Sequence, residues 1–150
     1  MIEFIATASI TAMSALLFGY WFRYTCLLIL SAKTARDFAS DVAAAHQLAF
    51  VGVQSSLRNA VQDMEGLRVS LDRDYAILAN LLSSSSGLRT EGFAFEKSML
   101  GLHYRVTSTW YSFARRFSPT AAQNALQEMS QIVAHYANAL GEMNAVGSAA

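Results

Sequence analysis

The sequence predicts an all-α protein whose N-terminal helix crosses a membrane, and three observations carry that reading. Residues 4–22 form a run of nineteen uncharged residues. Beyond it, apolar residues recur every three or four positions rather than alternately, which is the helical period. The one proline of the chain is Pro119, so nothing breaks the helical pattern before that point by ring sterics. The composition agrees with this. The 150 residues are 53% hydrophobic and 15% charged, against about 25% charged in an ordinary soluble domain, and the mean hydropathy is +0.27. Eleven basic and eleven acidic side chains leave no net charge, so the chain lacks the basic footprint of a nucleic-acid binder. Its one cysteine, Cys26, excludes an internal disulfide and fits a reducing compartment.

As a helix, residues 4–22 cover about 28 Å, close to the thickness of a hydrocarbon core. The run ends in Tyr20, Trp21, Phe22, Arg23 and Tyr24, aromatic rings around a cation, as expected at the headgroup level. Tyr20, Trp21, Arg23 and Tyr24 are therefore the interface residues. Apolar sequence resumes from Thr25 to Ala32, so the helix is expected to continue through the headgroup layer. A cleaved secretory signal is disfavoured by Glu3 and by the lack of Lys or Arg ahead of the run. Basic residues flank only its C-terminal end, at Arg23, Lys33 and Arg36, which places the rest of the chain in the cytoplasm. Residues 1–32 are thus read as a transmembrane anchor and 33–150 as a helical cytoplasmic domain. Within the span, Ala8, Ala12, Ala15 and Gly19 form one stripe of small residues that admits a second helix backbone at close range.

Past Lys33, a heptad seam starts at Phe50 and runs through Val53, Leu57, Ala60, Met64, Leu67, Leu71, Asp74, Leu78 and Leu81, interrupted only by Asp74. This predicts one long helix from Lys33 to Leu82, with Gly52 and Gly66 as weak points. Its membrane-proximal alanines, Ala39, Ala43, Ala44, Ala45 and Ala49, make a slender stalk. Asp74 is expected at the wet end of the assembly, or beside a cation such as Arg105. The segment SSSSG at 83–87 marks a turn. Thr90 and Glu91 then open a second helix whose seam reads Phe95, Met99, Leu102, Val106, Trp110, Phe113 and Phe117. Ser118 and Pro119 start a third, with Ala122, Leu126, Met129, Val133, Tyr136, Leu140 and Met143 on a four-three repeat. The long helix folded back as a three-helix bundle or a coiled-coil hairpin is the expected architecture. Phe50, Leu57, Met64, Leu71, Leu78, Leu126, Val133 and Leu140 are its central seam residues. From Pro119 onward the only charges are Glu128 and Glu142, a bland outer face that suits contact with another protein surface.

No phosphate loop, HExxH, CxxC or nucleophile elbow occurs. His46, His103 and His135 fall one on each predicted helix, but Ala43, Leu100 and Ile132 stand three residues before them, where a di-iron site needs Glu. On the seam register His46 points inward, His103 flanks the seam and His135 points away, so no metal, cofactor or catalytic residue is assigned. Met64, Met99, Met129 and Met143 are core filling. The function expected is a non-catalytic, single-pass membrane scaffold or accessory subunit. Its partners are membrane lipid and either further copies of itself or a larger membrane protein complex, without nucleic acid. The alternatives are a signal transducer driven by a register shift of the long helix and, below it, a histidine-ligated electron carrier.

Overall fold

Six helices account for the regular structure of the computed structural model, which describes residues 1–32, 37–59, 63–85 and 91–149; among these there is no strand. The helices are α1 (Ile2–Ser31), α2 (Ala39–His46), α3 (Phe50–Arg58), α4 (Met64–Ser84), α5 (Glu91–Ala114) and α6 (Pro119–Ala149). They divide into two units, Met1–Lys33 and Thr34–Ala150.

The first unit is α1 alone, thirty residues long and apolar enough to cross a membrane. Every residue from Ile2 to Trp21 is exposed, including Ala8, Ala12, Ala15, Gly19 and Tyr20. Its hydroxyls turn back on the helix. Those of Thr7, Thr11 and Thr25 donate to the carbonyls of Glu3, Thr7 and Trp21, four residues earlier, at 2.8 to 2.9 Å. Polar groups satisfied inside their own helix are what a hydrocarbon surrounding demands. At about 45 Å, α1 exceeds the ~30 Å core by several turns.

In the second unit α6 is the central element, and α2, α3, α4 and α5 all touch it. Its inner face is completely covered: Ala122, Leu126, Met129, Val133, Tyr136 and Leu140 are buried, with Ala125, Ile132 and Ala137 beside them, while Met143 is half-buried. Side-chain contacts fix the directions of the helices. His135 meets Glu96 and His103 meets Glu128, so advancing along α5 means retreating along α6. Lys97 donates to the Ala79 carbonyl, Tyr104 to Asp72 and Tyr111 to Glu65, so α5 also opposes α4. The amide of Phe38 donates to Asn138 Oδ1 at 2.7 Å and Gln123 donates to the Leu57 carbonyl at 2.8 Å. The segments α2 and α3 therefore oppose α6 as well.

These directions correct the expectation of one long helix from Lys33 to Leu82, because α3 and α4 run opposite ways and the chain reverses between Arg58 and Met64. A second interruption lies at Gln47, whose backbone is left-handed at φ 53° and ψ 45°. There the amide of Leu48 reaches back to the Ala43 carbonyl at 2.9 Å, closing α2 with a bond that spans one residue more than a helical turn. The reversal is prepared by Asp63, whose carboxylate accepts from the Gly66 amide at 2.9 Å and so caps α4. Ala60, assigned to the seam, lies outside the described residues, as do Lys33, Arg36, Ser86, Gly87 and Thr90. The alanine stretch is not a stalk either: α2 lies on α6, with Ala39, Val42 and Ala43 buried. A Cβ at Gly141 would overlap the Cβ of Phe38, so glycine is what lets the entry to α2 approach the backbone of α6 this closely.

Asp74 shows why the chain reverses without losing its seam. Rather than lying at a wet end or beside Arg105, it is 2% exposed and accepts from the amides of Ala49 and Phe50 at 2.7 and 2.8 Å. It caps the N-terminus of α3 from α4, satisfying donors that no helical carbonyl can reach. Gln123 does the reverse service for the Leu57 carbonyl at the other end of α3. The central seam residues Phe50, Leu57, Leu71, Leu78, Leu126, Val133 and Leu140 are all buried, and Met64, at the start of α4, is half-buried.

Candidate functional site: an uncovered apolar face on the fifth helix

The largest departure from the sequence reading is in α5. The residues expected to form its inner seam are mostly outside: Phe95, Leu102, Val106, Trp110, Phe113 and Phe117, the last just past the helix end, are between 52% and 72% exposed. Buried in their place are Leu100, Tyr104, Thr107, Tyr111 and Ala114, with His103. These too are spaced four, three, four and three, so α5 carries two seams at helical period, about a third of a turn apart. The bulkier seam is not the one selected.

Hydrogen bonding and fit explain the choice. The rings of Tyr75 and Tyr104 stack at 4.0 Å between centroids, and Tyr136 lies 5.6 Å from Tyr75. Tyr104 donates to Asp72 Oδ1 at 2.8 Å and Tyr136 to the Lys97 carbonyl at 2.7 Å. Tyr111 reaches Glu65 at 3.4 Å, with the Arg68 guanidinium 5.8 Å from its ring centre. Three phenols wedged between α4, α5 and α6 thus bury large rings and still find acceptors, which phenylalanines cannot add to. A Cβ at Gly101 would stand 3.0 Å from the Tyr75 hydroxyl, so that glycine makes the room. Burial pushes the phenols of Tyr104, Tyr136 and Tyr111 above their ordinary value, and the neighbouring Asp72, Tyr75 and Glu65 push respectively the same way. All three remain protonated donors at neutral pH and none is a base.

The face left outside is continuous. The Trp110 and Phe113 rings lie 5.8 Å apart and those of Phe113 and Phe117 4.9 Å apart. With Arg105, Val106 and Thr109, Trp110 and Phe113 line an open groove of about 530 Å³. Arg105, Arg115 and Arg116 are exposed along the same stretch, Arg115 in an ion pair with Glu65 at 2.5 Å. Glu96 is half-buried and 2.6 Å from His135. A contiguous apolar row of this kind is uncommon on the surface of a soluble monomer.

The histidines do not converge. His46 is exposed at the end of α2, contrary to the inward position expected. His103, expected to flank the seam, is buried with Nε2 3.6 Å from Glu128, and His135, expected outside, is half-buried against Glu96. Among the described residues no three His, Cys, Asp or Glu side chains stand together as metal ligands. Trp21, Arg23 and Tyr24 are exposed at the C-terminal side of the apolar run of α1. The uncovered face of α5 was hidden in the sequence by its own period, since large apolar residues at heptad spacing read as core. The overlapping Leu100–Tyr104–Thr107–Tyr111–Ala114 series was the available sign that one of two faces would be left over. Compared with protein families, with curated proteins and with solved structures, the chain gives no match in any of the three.

Proposed function

We propose that this protein is a non-catalytic, single-pass membrane scaffold or accessory subunit, which assembles through helix packing with itself or with a larger membrane complex. The observation that carries the reading is α1: an apolar helix of thirty residues, uncovered from Ile2 to Trp21, with Ala8, Ala12, Ala15 and Gly19 on one face. An apolar helix without a cover is stable in lipid, and a small-residue face lets a second helix approach. Arg23, Lys33 and Arg36 set the remainder on the cytoplasmic side, where α2 to α6 form a helical bundle built on α6. The test is the mass of the complex extracted in mild detergent at native expression, with its polypeptides identified by mass spectrometry. A multiple of 16.4 kDa, or further membrane subunits, is expected. A monomer without a co-purifying chain overturns the proposal.

A further inference from the structure

We infer that the uncovered face of α5 rests on an anionic phospholipid surface. The inference rests on the reading of α1 as a membrane span. The face presents Phe95, Leu102, Val106, Trp110, Phe113 and Phe117 to the outside, the Trp, Phe and Leu composition of a helix that sinks its apolar side into the headgroup boundary. Its free charges are cationic: Arg105 lines the groove and Arg116 is exposed at its C-terminal end, while Arg115 is held in the ion pair with Glu65. Arginine beside exposed aromatic rings suits lipid phosphate, which the guanidinium grips in two places.

Connectivity favours lipid over a free partner: α1, read as a membrane span, and α5 belong to one chain, so a lipid surface is met at a high effective concentration that a diffusing partner lacks. A second copy fits this face less well. An isologous pairing of two such faces adds a second Arg105 and Arg116 to the patch, where lipid phosphate adds the opposite charge.

The chain has two tryptophans, Trp21 and Trp110, so each can be made the sole emitter of the full-length protein. Trp21→Phe and Trp110→Phe variants are reconstituted into vesicles of phosphatidylcholine and phosphatidylglycerol, brominated near the glycerol end of the acyl chains. Bromine quenches tryptophan only on contact. Trp110 is expected to lose most of its emission in the first variant, and Trp21 in the second. Quenching of Trp21 with Trp110 unquenched overturns the inference and leaves the anchor standing, whether Trp110 then emits as a wet ring or as one shielded by protein. Quenching of neither overturns the anchor along with it. Arg105→Glu with Arg116→Glu, in the Trp21→Phe background, is expected to restore Trp110 emission in these vesicles; undiminished quenching overturns the role given to anionic headgroups.

Discussion

Asp74 ties α4 to α3, because one carboxylate serves two backbone amides at the start of that other helix. Burial pushes its carboxyl above the ordinary carboxylate range, while the Ala49 and Phe50 amides and the charge of Arg73 pull part of that back. With a folded pKa above the unfolded value of about 3.9, the folded state holds the proton more tightly. The resulting stability is fully present below the unfolded value and is lost as pH rises through the raised one. Thermal unfolding followed by circular dichroism should therefore show wild type gaining on Asp74→Asn as pH falls from neutrality towards about 4. Asp74→Leu leaves both amides without an acceptor and is expected to cost about 2 kcal/mol or more, seen as a lower Tm. At Gln47 the opposite sign is expected. A left-handed backbone costs an L-residue about 1–2 kcal/mol, so Gln47→Gly should raise Tm, the gain reduced by the greater freedom of glycine in the unfolded chain. The sequence marks Asp74 as the one polar member of an apolar seam; it does not say that the partner is an amide, because that partner belongs to a helix which exists only once the chain has reversed.

At the scale of the element, α5 and α6 are a matched contrast. Both carry apolar residues at helical spacing, yet α6 buries its series and α5 leaves its bulkier one outside. Leu126→Ala should then cost about 2–5 kcal/mol, as deletion from a closed core does. Trp110→Ser and Phe113→Ser should shift stability by only about 0.5 kcal/mol, despite removing larger side chains; chemical unfolding of the three variants in the same detergent compares them directly. The ends of the elements obey a second rule. Gly141→Ala is expected to destabilise by about 1–3 kcal/mol through overlap with Phe38, and Phe38→Ala in the same chain should recover part of that loss in a double-mutant cycle. Helix existence was legible in all these segments. The break at Gln47 was not, for glutamine carries no turn signal and is held left-handed by the bond from Leu48 to Ala43.

For the molecule as a whole, the two units make separate predictions. Replacing Ala12 and Ala15 by Leu together is expected to weaken association in the bilayer, read as a smaller complex in mild detergent; an unchanged size removes the small-residue stripe from the assembly. What the sequence by itself determined is local and additive: the apolar run of α1, the end of α4 among its serines, the start of α6 at Ser118 and Pro119, and the buried series of α6. Each follows from composition or from a period read within one segment, with no reference to a neighbour. What only the tertiary structure decided is pairwise. The reversal between α3 and α4 depends on Asp74 and Gln123 meeting the two ends of α3 from other helices. The face that α5 shows to the outside depends on which of its two series fits against Tyr75, Tyr136 and the acceptors Asp72 and Glu65. Hydrophobicity ranks residues by what they lose in water, and that ranking favoured Trp110 and Phe113 for the interior. Burial was settled instead by close fit and satisfied hydroxyls, which belong to pairs of helices and to no single one.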